Sequence, residues 1–251
     1  MFPLKDDIPT DRTPWLTIAL IVANVVVFFL SIRDGGDLLS GPSAAFVVDW
    51  GVIPYEVTHP GDECALAGDA LRCSAEAGDQ PSTLATAFTS MFLHGGLLHI
   101  GGNMLFLWIF GNNVEDSMGR LRFVLFYLLG GIAAIALQTA VGPDEAIPSI
   151  GASGAVAGVL GGYLLLHPRA RVLTLVFLIV FFAFIRIPAL VFLVIWFGQQ
   201  ALFGYFDLAT ATTEDGGGGV AYFAHIGGFL FGLLAIKAFA TRRSGQRLAG
   251  A

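Results

Sequence analysis

Charge is scarce in this chain. Asp, Glu, Lys and Arg make up 13% of its 251 residues, about half the share of an ordinary soluble domain. With 55% hydrophobic residues, 22 Phe and a mean hydropathy of +0.75, the composition suits lipid as solvent and excludes a disordered chain. Basic residues are outnumbered, 13 Lys and Arg against 19 Asp and Glu, giving a net charge of −6 and a pI near 5.2. That leaves no electrostatic footprint for a nucleic acid. Two cysteines are too few for a mini-protein built on disulfides. There is no H-E-x-x-H and no acid beside the histidines of the apolar runs, so no metal and no cofactor are expected.

Long apolar runs are what the chain does have. About 20 mostly apolar residues cross the roughly 30 Å hydrocarbon core of a bilayer. Six stretches read as spans: 15–32, 97–110, 123–141, 150–166, 187–206 and 220–238. The predicted fold class is therefore an all-α polytopic membrane protein, one domain over 1–251 with six transmembrane helices. The run 172–185 is apolar but only 14 residues long, ends at Arg186 and precedes Pro188. It reads as an interfacial or re-entrant piece.

Six spans sort the charges. The N-terminus, 111–122, 167–186 and the C-terminal tail carry Lys5, Arg12, Arg120, Arg122, Arg169, Arg171, Arg186, Lys237, Arg242, Arg243 and Arg247, 11 of the 13 basic residues. The other side has Arg33, Arg72 and 14 of the 19 acids. The positive-inside rule then places both termini in the cytoplasm. The first stretch, 18 residues with no A-x-A site directly after it, reads as an uncleaved anchor rather than a signal peptide. The longest polar segment, 33–82, lies outside and holds Cys64 and Cys73, either one disulfide on an oxidising face or two free thiols. Asp215 and Gly216 to Gly219 read as a flexible outer loop.

Polar side chains inside a span are expensive and mark function. Among them here are His99 and Asn103 in the second span, Gln138 in the third, Ser153 in the fourth, Gln199 and Gln200 in the fifth and His225 in the sixth; no Asp or Glu lies in any span. The even-numbered spans start on the outer side, and His99, Ser153 and His225 each sit a few residues in. Asn103 is one turn below His99 on the same helix face. Four polar groups from three helices thus share one shallow level, where clustering is the cheaper arrangement. Singly, each has a plain reading: Ser153 as a small packing residue, His225 as a hydrogen-bonded structural histidine, His99 and Asn103 as ties between helices. None of these explains the common depth. His94 does not share the His99 face, His167 reads as a helix-end residue, and His59 lies in the outer loop.

Glycines surround the two key positions. Gly154/Gly158 and Gly228/Gly232 are G-x-x-x-G pairs, which allow close helix approach in lipid. Close packing of spans four and six would bring the Ser153 hydroxyl to the His225 imidazole. A serine is a weak nucleophile until a base takes its proton, and an imidazole with an ordinary pKa near 6.5 suits that task. No carboxylate lies at this depth, so a dyad is implied rather than a triad. Backbone N–H groups at the helix start, with His99 and Asn103, would stabilise an oxyanion. Gly151-Ala152-Ser153-Gly154 differs from G-x-S-x-G in having its second glycine one place early and lacks the strand-turn-helix setting of soluble hydrolases. A transporter reading meets two obstacles, since the polar level is shallow and no span carries a charged coupling residue.

Several ordered blocks resemble the rhomboid intramembrane serine proteases in their bacterial six-helix form: His94-Gly95-Gly96-Leu97-Leu98-His99-Ile100-Gly101-Gly102-Asn103, then Gly111, Glu115, Gly119, Arg120 and Phe123, then Gly151-Ala152-Ser153-Gly154, then Ala224-His225-Ile226-Gly227-Gly228. The resemblance covers residues 88–235. It implies Ser153 as nucleophile and His225 as general base, and an oxyanion hole of His99, Asn103 and the Ser153 N–H with Gly151 shaping the loop. His94, Gly154 and Gly228 would support the site. It also implies an outer loop between spans one and two that lies partly in the membrane as short helices, with 50–55 and 88–93 as candidates. The expected activity is cleavage within or beside transmembrane segments of other proteins. The expected setting is a bacterial inner membrane, with lipid and membrane-protein substrates as partners and the active site toward the outer face. A catalytically dead relative would lack the Ser153–His225 combination. Two stretches depart from the pattern: 172–185 is more apolar than a simple turn, and the loop holding Cys64 and Cys73 looks inserted.

Overall fold

A computed structural model describes residues 1–68, 70–75, 80–178, 181–210 and 220–241. Asp215 with the glycine run 216–219, and the basic residues Arg242, Arg243 and Arg247, lie outside the described residues. In chain order the elements are β1 (Phe2–Lys5), α1 (Trp15–Ser31), α2 (Ala44–Trp50), α3 (Pro54–Thr58), β2 (Glu63–Ala67), β3 (Ala70–Ser74), α4 (Thr83–Thr89) with a 3-10 turn (Ser90–Phe92), and α5 (Leu97–Phe106). A π turn (Leu107–Gly111) then leads into α6 (Asn112–Met118), followed by α7 (Arg120–Val141), α8 (Ser153–Leu166), β4 (Arg171–Leu178), β5 (Phe181–Pro188), α9 (Ala189–Thr210) and α10 (Tyr222–Phe239).

The glycine spacing explains the centre of the bundle. α8 has no polar face, and every residue from Gly154 to Leu164 is buried, as expected of a helix placed among other helices. It packs against α10, α7, α9 and the π turn. A Cβ on Gly228 would lie 2.0 Å from the Gly154 carbonyl oxygen, and one on Gly232 would lie 2.0 Å from that of Gly158. Only glycine permits that backbone approach, and both G-x-x-x-G pairs are used in it. The outward faces are apolar too, with Leu98, Leu121 and Leu234 almost wholly exposed.

Among the described residues α7, α9 and α10 are long and apolar enough to cross a membrane by length and composition. The segments Thr83–Phe92 and Leu97–Met118, bent by 84°, make a fourth if taken as one span, and α1 and α8 are shorter apolar helices. Boundaries differ from the sequence expectation in places. The helix expected over 97–110 continues through the π turn to Met118 and so carries Glu115 and Asp116, both buried. α9 begins at Ala189 and extends to Thr210, placing Asp207 in its last turn. Of the short helices expected in the first connection, 50–55 falls across the junction of α2 and α3, and 88–93 across the end of α4 and the 3-10 turn.

The run 172–185, read from sequence as an interfacial or re-entrant piece, contains strands rather than a helix, an addition to a fold otherwise built mainly of helices. It forms the hairpin β4–β5, paired from Arg171↔Pro188 to Leu178↔Phe181, and β1 adds a third antiparallel strand with Phe2 opposite Leu175. Val, Ile, Thr and Phe dominate the hairpin, residues that fit a pleated surface. An isolated two-stranded hairpin is marginal, and β1 supplies the missing neighbour. A second hairpin, β2–β3, sets Cys64 opposite Cys73, and the two are joined by a disulfide. Cys64 is buried with Val48 and Ile53.

Buried acids tie the end of the bundle opposite Ser153. Pro14 precedes α1 and offers no side-chain cap. The Glu115 carboxylate does this from 98 residues away, accepting from the Thr17 N–H at 2.7 Å, the Thr17 hydroxyl at 2.8 Å and the Leu16 N–H at 3.1 Å. Those are orphan donors of a helix start, where negative charge is also favoured. Asp6 accepts from the Tyr163 hydroxyl at 2.5 Å and from the Asn113 amide at 2.7 Å. Burial raises its carboxyl from 3.8 to about 6, an effect that the Tyr163 hydrogen bond opposes.

Two outcomes follow. Gly232→Ala should lower unfolding stability in detergent by about 1–3 kcal/mol, the usual loss on overpacking, read as a fall in thermal midpoint. For Asp6 the folded-state value lies above the unfolded one. The unfolded chain therefore releases its proton first, and stability falls as pH rises from about 4 to 6. The drop is at most about 3 kcal/mol. Asp6→Asn should flatten that part of the stability–pH curve, and an unchanged slope would count against the assignment.

Candidate active site

Ser153 is the first residue of α8, so its backbone lies among N–H groups that have no acceptor within the helix. Its side chain is partly exposed, as are those of His99 and His225, whereas Asn103 is buried. His225 is on the first turn of α10, three residues before Gly228, whose missing Cβ lets the α8 backbone approach. A Cβ on Gly154 would stand 3.7 Å from the Ala224 carbonyl. The residues after Ser153 and before His225 are therefore neighbours across the α8–α10 seam.

The second helix enters the same place. His99 and Asn103 share a face of α5, and the Asn103 amide donates to the His99 carbonyl at 3.1 Å. The His99 ring is held by its other edge, with Nδ1 accepting from the Gly95 N–H at 3.2 Å. A neutral imidazole that accepts at Nδ1 carries its proton on Nε2, so His99 Nε2–H is a donor. A Cβ built on Gly151 would lie 2.8 Å from that Nε2 and 3.6 Å from Ser153 Oγ. One point in space is thus close to both the His99 donor and the serine hydroxyl.

His94 takes the opposite tautomer. Its Nδ1 faces the Phe92 carbonyl at 3.2 Å and must donate there, which leaves Nε2 to accept from the Ala152 N–H at 3.5 Å. The two histidine rings meet edge to face with centroids 5.1 Å apart. His94 thereby braces the turn before Ser153 from beneath, and it is fully buried. The Gly151 N–H donates to the Ser90 carbonyl at 2.8 Å, and Val52 pairs with Ser149 through two backbone hydrogen bonds. The 142–152 connection is therefore held by the segment between α1 and α5.

That segment also starts α5. The Leu97 N–H donates to the Leu38 carbonyl at 2.8 Å. Gly96 sits at φ +118 with its missing Cβ 1.9 Å from the Leu39 carbonyl oxygen, so the turn closes only with glycine there. At the α10 end Gln138 accepts from the Ala224 N–H at 3.2 Å and donates to Glu145 at 3.1 Å. His225 Nδ1 meets Gln200 Oε1 at 2.8 Å. Sequence reasoning placed both amides in spans but not their partners. Gln199 and Gln200 are adjacent, and only the helical phase of α9 selects Gln200 as the buried one.

The remaining histidines are elsewhere. His59 stacks on Tyr55 with ring centroids 4.0 Å apart and lies 3.8 Å from Asp144. His167 ends α8. Among the described residues no group of three His, Cys, Asp or Glu side chains is placed to hold a metal ion.

Gly151 gives a test of this geometry. Its φ is +125 and its Cβ position collides with His99, whereas Gly61, at φ +101, faces open space. Gly61→Ala should cost about 1–3 kcal/mol from backbone strain alone. Gly151→Ala should lower the thermal midpoint further, and equal losses would show that the His99 ring is not where the structure puts it.

A family model for the Rhomboid domain matches residues 81–242. Rhomboid protein 1, mitochondrial, of Saccharomyces cerevisiae is 33% identical over 156 residues, covering 58% of this chain and 39% of the yeast protein. Rhomboid protease GluP of Bacillus subtilis is 31% identical over 157 residues, 62% of this chain and 26% of that protein. Presenilin-associated rhomboid-like protein, mitochondrial, of Mus musculus is 32% identical over 146 residues, 57% and 35% of the two chains. The matched regions span between about a quarter and a half of the length of these and similar curated relatives.

Proposed function

This chain belongs to the rhomboid family, and we propose that it is a serine endopeptidase that cleaves peptide bonds within or beside the transmembrane segments of other proteins. It is an integral membrane protein built mainly of helices. The observation that carries the activity is the α8–α10 seam. Gly154 and Gly158 admit the backbone of α10 at Gly228 and Gly232, which supports a meeting of Ser153, at the start of α8, with His225, on the first turn of α10.

In the proposed reaction Ser153 Oγ attacks the carbonyl carbon of the scissile peptide while His225 takes its proton. The negative oxygen of the tetrahedral intermediate is received by His99 Nε2–H, by the Asn103 amide and by the Ser153 N–H at the start of α8. Such preorganised donors are the largest single aid to acyl transfer. His225 then passes its proton to the leaving amine, and water repeats the sequence on the acyl-enzyme. No cofactor or metal takes part. Gly151 keeps the oxyanion position open, since a side chain there would fill it.

Six spans are proposed: α1, the α5–α6 helix, α7, α8, α9 and α10, with the segment between α1 and α5 as the outer loop. At the standard helical rise the 14 residues of α8 cover roughly 20 Å, less than the hydrocarbon core, so water reaches its serine end. Lys5, Arg12, Arg120, Arg122, Arg169, Arg171, Arg186 and Lys237 all belong to the opposite end, which supports a cytoplasmic position for it and for both termini. The active site then faces outward from a cell membrane of the bacterial inner-membrane type. A substrate enters laterally from lipid and must unwind locally, because amides in an intact helix are shielded by their own hydrogen bonds.

The test is Ser153→Ala in purified full-length protein against a fluorogenic membrane-spanning peptide in liposomes. Cleavage should fall by at least about a thousandfold, the scale on which loss of a serine nucleophile is felt. Undiminished cleavage rejects the reading.

A further inference from the structure

His225 needs more than proximity to Ser153. To accept the serine proton its free nitrogen must be unprotonated and aimed at the hydroxyl, and among the described residues no carboxylate hydrogen-bonds the ring. The group that does so is an amide. Gln200 Oε1 lies 2.8 Å from His225 Nδ1, and Gln200 is 8% exposed on a helix face whose next residue back, Gln199, is exposed. A carbonyl oxygen only accepts, so Nδ1 must carry the proton, which leaves Nε2 as the basic nitrogen.

The surroundings fix the amide as well as the ring. Trp196, one turn before Gln200 on α9, has its ring 5.9 Å from the His225 ring and 5.9 Å from that of Phe229. Phe197 stacks on Phe229 with centroids 4.7 Å apart. α9 is thus keyed to α10 by aromatic packing one turn from the Gln200–His225 bond. On the other side of α10 the Ala224 N–H is bound by Gln138. The first turn of α10 is held from two helices at once.

We propose that Gln200 is the positioning residue for His225: its Oε1 accepts the Nδ1 proton, fixes the tautomer with the lone pair on Nε2 and aims that nitrogen at Ser153. A neutral amide here fills the orienting part of the role a carboxylate has in a triad, without placing a second charge in a low-dielectric span. This rests on the Ser153–His225 reading above. Gln200 does not touch the reacting atoms, so its removal should slow the reaction without abolishing it.

The experiment uses full-length protein in detergent, with 15N-labelled histidine and a fluorophosphonate as the serine-directed probe. The His225 resonances are identified by their loss in His225→Phe. The wild type should show a protonated Nδ1 and an unprotonated Nε2. Gln200→Leu, similar in volume but unable to accept, should lose that tautomer preference and slow Ser153 labelling by about tenfold. Gln200→Glu keeps an acceptor oxygen in place and should restore the tautomer and most of the labelling rate. A Gln200 that merely ties α9 to α10 would instead give a lowered thermal midpoint with the His225 tautomer unchanged, and that result overturns the proposal. So does a wild-type ring protonated on Nε2, or wild-type labelling in Gln200→Leu. Ser153→Ala runs in parallel. If the probe still labels that variant at the wild-type rate, the serine reading itself fails and the positioning role falls with it. If Ser153→Ala alone is inert while Gln200→Leu matches wild type, only the positioning role is lost.

Discussion

The approach of α8 to α10, backbone against backbone, is the constraint on which the rest of the molecule depends. Carbonyls of Gly154 and Gly158 occupy the space where side chains of Gly228 and Gly232 would be. In lipid there is little hydrophobic drive between helices, so their association rests on fit and on hydrogen bonds. Here the fit is made of absent atoms. Once the two helices touch, the start of one and the first turn of the other meet, with the Gly154 Cβ position 3.7 Å from the Ala224 carbonyl, and the proposed pairing of hydroxyl and imidazole rests on that approach.

A second set of contacts decides orientation. Three imidazoles lie near this level, and each is set by a partner at one nitrogen. His94 donates to a carbonyl, His99 accepts from an N–H, and His225 faces an amide oxygen. One ring thus meets the backbone before Ser153, one is left with a free N–H, and one is left with a free lone pair. The chemical difference between them comes from which atom of the main chain or of Gln200 each ring meets. The loop between α1 and α5, fastened to 145–151 through Ser90, Val52 and Tyr55, keeps two of those partners in place.

Much of the site was legible in the sequence because depth in a membrane helix is a matter of counting. Ser153, His225, His99 and Asn103 could be set at one level from residue spacing, and the glycine pairs pointed to the seam. What spacing could not give was phase and partnership. Gln199 and Gln200 read alike until the rotation of α9 is known. The Gly96–Leu39 closure joins residues far apart in sequence, and Glu115 caps a helix that begins 100 positions earlier at Trp15. The β4–β5 hairpin was missed for a different reason. A short apolar run has no period that separates strand from buried helix, and β1, which completes the sheet, contains Pro3 and only 4 residues.

That small sheet has a consequence for how the chain is made. Phe2 pairs with Leu175 and Asp6 reaches Tyr163, so the strand is completed by residues made about 160 to 170 positions later. At ordinary synthesis speeds their partners follow on the order of 10–30 s later. Through that interval β1 has an open edge. Its brevity, its proline and its Lys5 are the features that keep such an edge from pairing with the wrong chain.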